Sequence, residues 1–271
     1  MYLAGLALPA SVARAATERW LDDGATWARH VEGELHWVCQ RCHATPIRIL
    51  PARYSYVVEA KMDNTSVVLR STPDPDARFS ASVSEALAQL GVGPRVHTIL
   101  QTATGCWTVT DMVLPGLSLY EVNASTAALA EIFGMMQGHR SPDDAMPDLY
   151  SWLRVRLNDD DLSDLPAGQT VAPVQQRQQA EATLDSLSQT SVAELCHGDA
   201  SPGNILTGTQ GFQLIDPRGL QGEVAYDIAV VAMKTTTSDE VHRHAAQLAQ
   251  LASVDVERVQ AWIQIADAAR V

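Results

Sequence analysis

The amino-acid sequence predicts an α+β chain whose N-terminal half is β-rich and whose C-terminal half is mainly helical. Short runs of β-branched and aromatic residues recur between turn signals from Leu35 to Val113. From Ser125 onward apolar residues recur at helical spacing instead. A third observation is an island at 192–217 where short apolar runs, split by turns, interrupt the helical pattern. The change falls near Leu114–Leu117, so two domains are expected, 1–113 and 114–271.

Taken in order, Pro9–Trp20 is expected to form an amphipathic helix opening at Pro9 and Ser11. The preceding apolar stretch lacks a positively charged start and is broken by Pro9, so it is not read as a secretory leader. Strands are expected at Leu35–Cys39, Ile47–Leu50, Tyr54–Met62 and Ser66–Arg70. The last two form a hairpin turned by Asp63-Asn64, the second strand ending on a cation. Ser82–Leu90 reads as a helix stopped by Gly91. A strand pair follows at Val96–Gln101 and Cys106–Val113, broken by Thr104-Gly105, and Pro115-Gly116 ends the β-rich part. Helices are then expected at Ser125–Gly138, Leu149–Leu157, Pro173–Ser188, Tyr226–Met233, Asp239–Leu251 and Val256–Ala269.

The chain has 271 residues, 46% of them hydrophobic and 19% charged, which is enough to bury a large core. A formal net charge of −13 argues against nucleic acid as a partner, because phosphate neutralisation needs a basic surface. It suits a cationic small molecule. The apolar runs are short and interrupted, so no membrane-spanning helix is expected. Four cysteines in a chain this long do not make a disulfide framework, and reduced thiols in a cytoplasmic protein are expected. Cys39-Gln-Arg-Cys42-His43 spells a haem-attachment pattern and would also supply three zinc ligands, with His36 the nearest fourth. Beside an expected strand and without a haem fold, it is read as a coincidence.

The chemistry concentrates in the island, at Leu-Cys-His197-Gly-Asp199-Ala-Ser-Pro-Gly-Asn204-Ile-Leu, followed by Leu214-Ile-Asp216. Two carboxylates and an amide on loops after short buried strands suit a magnesium–phosphate site. Magnesium prefers oxygen donors and keeps several waters, so one carboxylate, one amide oxygen and substrate phosphates suffice. The remaining carboxylate, Asp199, is then free to accept a hydroxyl proton.

The spacing H-G-D-x-x-x-x-N followed by I-D resembles the catalytic and metal-binding segments of the kinase-like fold. It is most similar to the aminoglycoside phosphotransferase family, and 215–229, Ile-Asp-Pro-Arg-Gly-Leu-Gln-Gly-Glu-Val-Ala-Tyr-Asp-Ile-Ala, resembles its streptomycin and hydroxyurea members. The resemblance implies a bilobal protein-kinase-like fold, with a β-rich nucleotide-binding lobe before a helical catalytic lobe. It makes Asp199 the catalytic base, Asn204 and Asp216 the magnesium ligands, and His197 and Asp227 the braces of the catalytic loop. It places Ser55 and Tyr56 in the phosphate-covering loop, and Arg70 where the family's nucleotide-binding strand ends in lysine. Glu85 becomes the acidic partner of Arg70, and Met112, Val113 and Leu114 the hinge against the adenine. The implied cofactors are ATP, with GTP left open, and Mg²⁺. The loop at 54–56 lacks the family's glycines.

The implied activity is transfer of a phosphoryl group to a hydroxyl of a small, cationic, antibiotic-like molecule, conferring resistance. Asp143, Asp144, Asp148, Asp159 and Asp160 are the candidates for drawing in that acceptor. A metabolite kinase of the same fold and a pseudokinase-type binding module are the alternatives.

Overall fold

In the computed structural model, which describes residues 5–162, 164–165 and 168–271, the chain divides into two units. The first comprises Met1–Ala81 with Pro94–Val113, and the second Ser82–Gly93 with Leu114–Val271. The division between them falls inside α2 (Ala77–Gln89).

The first unit is a five-stranded antiparallel sheet and one long helix. The strands are β1 (Ala44–Leu50), β2 (Tyr56–Met62), β3 (Thr65–Thr72), β4 (Val96–Gln101) and β5 (Cys106–Asp111), in the order β1-β2-β3-β5-β4. The expected hairpin forms in register, Met62 facing Thr65, with Asp63 in the left-handed region at φ 53°. Its second strand does not end at Arg70 but continues through Thr72, pairing with β5 across Arg70–Thr108 and Thr72–Cys106. One face carries Tyr56, Val58 and Ala60 of β2, Val67 and Leu69 of β3, and Trp107 and Val109 of β5, all fully buried. That alternation is the period-two pleat of strands with one face in the core.

The segment 35–39 corrects the sequence expectation: it is helix, not strand. Helix α1 runs Ala10–Cys42, interrupted by non-helical backbone at Trp20 and Leu21. Its buried residues Gly24, Trp27, Val31, Leu35 and Val38 recur at intervals of three and four, the helical period, and form the core with the sheet face just described. The runs Leu35–Cys39 and Val31–Leu35 share that stripe, and a reading by β-propensity alone misses it because the packing partner is tertiary. Gly24 lies where a Cβ would come 2.1 Å from the Ala16 carbonyl oxygen, so the two legs of α1 meet there without room for a side chain. Polar tips inside this core are paired. Trp27 Nε1 donates to Ser71 Oγ at 2.9 Å, and Trp107 Nε1 and Thr104 Oγ1 donate to the Glu34 carboxylate at 2.9 and 2.7 Å. Full burial of Leu35, Val58 or Leu69 contributes roughly 1.5–3 kcal/mol each.

The second unit is helical around two small hairpin-like pairs. Helices α3 (Thr126–Met136), α4 (Leu149–Asn158), α5 (Val174–Ser188), α6 (Val224–Thr235), α7 (Val241–Ala252) and α8 (Val256–Ala268) lie within two residues of the expected ends. Their starts are fixed chemically: Ser125 caps α3 through Ala128 N, Asp148 caps α4 through Ser151 N, and Asp255 caps α8 through Glu257 N and Arg258 N. Helix α6 is buried on all sides from Val224 to Ala232 and packs on α7 and α8, so it is the axis of this unit. Beside its start, Glu223 accepts from Tyr150 Oη, from Arg258 and, at 3.3 Å, from Trp262 Nε1. The island supplies β6 (Glu194–Leu195), β7 (Ile205–Gly208), β8 (Gly211–Leu214) and β9 (Gln221–Gly222), with β6 paired to β9 and β7 to β8.

Candidate active site

The short strands hold the ends of every loop that carries chemistry. The pair β6–β9 brings residue 195 beside 221, and β7–β8 brings 205 beside 214. The segments His197–Asn204 and Ile215–Leu220 therefore emerge side by side. Gly198 sits at φ 78° with the Arg218 side chain 3.0 Å from where a Cβ would stand, which explains glycine between His197 and Asp199.

Asp227, fully buried in the first turn of α6, accepts from His197 N at 2.7 Å and Gly198 N at 2.9 Å. Burial pushes its carboxyl up, and the His197 ring and those two N–H groups counter the shift. His197, also fully buried, reaches Ile215 O with Nε2 at 2.9 Å, while Asp199 N donates to its Nδ1 at 3.3 Å. That pairing assigns the proton to Nε2. The two braces implied by the resemblance thus pin the loop at both ends of the His-Gly-Asp step.

Asn204 Nδ2 donates to Asp199 O at 2.9 Å, and Ile215 N donates to Asn204 O at 2.9 Å. The amide's donors are directed back into the loop, leaving its oxygen as the available cation ligand. Asp216 follows in the left-handed conformation at φ 56°, next to the strand end tied to Asn204. Asn204 and Asp216 thus offer an amide oxygen and a carboxylate from two segments joined through Ile215 N, the hard oxygen donor types that magnesium prefers. Among the described residues no group of three His, Cys, Asp or Glu side chains could enclose a metal alone, so the other positions would fall to phosphate and water.

The Asp199 carboxylate is 31% exposed and receives Arg218 NH2 on Oδ2 at 3.3 Å. Arg218 was not singled out from the sequence. Its guanidinium also donates from Nε to Gly198 O at 3.3 Å, and it lies 4.4 Å over the Trp152 ring of α4.

Several other expected site residues are engaged in structure. Tyr56 is a core residue: it is fully buried, its hydroxyl donates to Leu6 O, and its ring meets Trp107 edge-on at 6.1 Å. Its side chain lies on the core face of β2, because the strand alternates. Ser55 is buried, Arg70 is half-buried on the opposite face of β3 from Leu69, and Met112 donates its N–H to Ser66 O at 2.9 Å. Val113 is buried and Leu114 half-exposed. Glu85 is exposed on α2 and belongs to the second unit, whereas Arg70 belongs to the first.

Most of the acidic acceptor candidates make local contacts. Asp148 caps α4, Asp143 Oδ1 accepts from Ala145 N at 2.8 Å, and Asp159 Oδ1 accepts from Asp161 N at 2.8 Å. Asp160 pairs with Arg177, and Asp144 is exposed. The Cys-x-x-Cys-His motif is the end of α1, with Cys39 buried and its thiol pushed up to about 11, first by burial and then by Cys42. That makes it a protonated core thiol.

An antiparallel sheet unit, a helical unit and this braced His-Gly-Asp…Asn…Asp loop together define a phosphotransferase of the kinase-like fold. By sequence alone, no curated protein matches the chain. Residues 96–269 match the aminoglycoside/hydroxyurea antibiotic resistance kinase family, and the chain belongs to that family. Solved structures agree on the fold. Aminoglycoside phosphotransferase APH(3'')-Id from Streptomyces rimosus, determined with ADP and streptomycin, is 16% identical, with a TM-score of 0.64 over 89% of this chain and 99% of that one. A choline/ethanolamine kinase family protein from Mesorhizobium loti gives 17% identity and a TM-score of 0.62 over 83% and 77%. Choline kinase LicA from Streptococcus pneumoniae gives 14% and 0.62 over 89% and 88%.

Proposed function

We propose that this kinase transfers the terminal phosphoryl group of ATP to a hydroxyl of a small, antibiotic-like molecule, with Asp199 as base and Asn204 and Asp216 as magnesium ligands. The observation that carries the reading is the pinned loop: Asp227 and His197 fix the backbone around Asp199 before any ligand arrives. A base held in place converts binding into a near-attack geometry, which is where phosphoryl transfer gains most.

Asp199 accepts the acceptor hydroxyl proton as the new O–P bond forms and the bond to the departing ADP breaks. Asn204 keeps its oxygen forward because its amide N–H is occupied by Asp199 O. Magnesium, when bound, would neutralise charge building on the phosphate oxygens. Arg70 and the backbone of Met112–Leu114 are the proposed nucleotide contacts, Arg70 supplying charge where the family has lysine. The side chain of Tyr56 has no part in this, and Glu85 is left outside it.

Mass spectrometry after incubation with ATP, Mg²⁺ and candidate acceptors should show a product heavier by one phosphoryl group. The panel includes amino alcohols, since choline and ethanolamine kinases share the fold. Asp199→Ala should lower transfer by roughly 10²–10⁴-fold while ATP and magnesium still raise the melting temperature. Wild-type turnover in that variant removes Asp199 from the base role.

A further inference from the structure

The long first helix folds back on itself, and the turn where it does so meets the loop between β1 and β2. We infer that Trp20 and Tyr54 form a latch that holds loop 51–55 in one conformation from the α1 side. Both are then positioning residues for the phosphates of the bound nucleotide. The inference rests on the phosphotransferase reading above and deepens it, with residues of the first unit that the catalytic motif does not include.

The latch begins with the shape of α1. Its helical backbone breaks at Trp20 (φ −119°, ψ 15°) and Leu21 (φ 49°, ψ −122°). Leu21 is 72% exposed, so its left-handed backbone serves the turn and not the burial of its side chain. The leg before the turn runs back along the leg after it. Leu8 N donates to Glu32 Oε1 at 2.8 Å, and Val12 and Ala16 are buried in the same core as Trp27, Val31 and Leu35. Buried contacts on both legs thus fix the turn, and Trp20 is presented at a constant place.

Against it stands the loop Pro51-Ala-Arg-Tyr-Ser55. The Trp20 and Tyr54 rings meet edge-on, with centroids 5.8 Å apart and planes at 80°. Arg19 lies 5.4 Å from the centre of the Trp20 ring and 5.3 Å from that of Tyr54, and Arg53 lies 4.8 Å from Tyr54. Neither arginine has an ion-pair partner among the described residues, so their hold here is on the aromatic faces. Both are solvent-exposed, where such contacts are weak, and the half-buried ring pair carries most of the latch.

Strand register fixes what the loop adjoins. Leu50 pairs with Val57 across β1 and β2, and Val57 pairs with Arg70 across β2 and β3. The loop therefore leaves the sheet at the level of Arg70, the proposed nucleotide contact of this unit. A loop without glycine has fewer conformations than a glycine-rich one, and the contacts with α1 select among those that remain. Ordering the loop in advance raises the fraction of molecules competent to receive the phosphates, and the apparent affinity follows that fraction.

The test measures, by calorimetry, binding of ATP with Mg²⁺ and of adenosine to the full chain. Hydrogen exchange of the peptide covering 51–57 is followed in the unliganded protein. Trp20→Ala and Tyr54→Ala should each weaken ATP about three- to tenfold, the range an aromatic pair spans, and leave adenosine within about twofold. Exchange across the loop should quicken in both. The double variant should weaken ATP no further than either single one, because the two rings act as a pair. Trp20→Phe and Tyr54→Phe keep a ring and should bind near the wild-type value, which separates the latch from a folding defect. Unchanged exchange in Trp20→Ala overturns the latch. Faster exchange with unaltered ATP affinity overturns the positioning role, as does equal weakening of ATP and adenosine. Wild-type protein that binds neither ligand at millimolar concentration fails the phosphotransferase reading itself, a result distinct from a wild-type binder whose variants behave alike.

Discussion

His197 and Tyr56 are both fully buried polar side chains, one in the catalytic island and the other in the sheet of the first unit, yet they do opposite kinds of work. His197 uses both ring nitrogens on backbone groups of its own island, Ile215 O and Asp199 N, and so sets where Asp199 stands. Tyr56 uses its ring on Trp107 and its hydroxyl on Leu6 O, and sets only the core. The island is held by short-range bonds between loops a few residues apart in the motif. The sheet is held by contacts that span most of the first unit. A motif therefore speaks reliably about the first and poorly about the second.

The largest effect that would break this contrast is in the island. Asp227→Ala strands the N–H groups of His197 and Gly198 in a buried place, which should cost about 2–5 kcal/mol of stability. Transfer by the fraction that remains folded should also fall by more than 100-fold. Denaturant unfolding together with turnover measures both, and an active, equally stable variant would show that the loop does not need its brace.

Next is Asp148→Ala, which removes the α4 cap and should cost about 1 kcal/mol. It should leave the acceptor KM within twofold, whereas a tenfold rise would return Asp148 to the acceptor site. The smallest is Tyr56→Phe. It deletes one buried hydroxyl and should lower stability by roughly 0.5–1.5 kcal/mol, with no change in ATP affinity by calorimetry. A loss of affinity would restore Tyr56 to the nucleotide loop.

The helices of the second unit were legible because each carries its own period and several carry their own cap, as Ser125 and Asp255 show. The hairpin at 56–72 was legible because Asp63-Asn64 is a local turn instruction. The strand expected at Leu35–Cys39 failed for the complementary reason. Its composition favours extended chain, but Val31, Leu35 and Val38 pay off only as a helical stripe against Val58, Leu69 and Trp107, which arrive later in the sequence. Arg218 was present inside a recognised segment, but nothing local marks a cation that finds Trp152 in another helix.

The sequence by itself determined the chemistry of the catalytic loop and the order of the elements, because turns, caps and the His-Gly-Asp step act over a few residues. Only the tertiary structure decided which charges face Asp199 and which carboxylates are already occupied. Those outcomes depend on side chains brought together from α4, α6 and the 216–222 segment, Trp152, Asp227 and Arg218 among them, and a charge acts through the space around it, not along the chain.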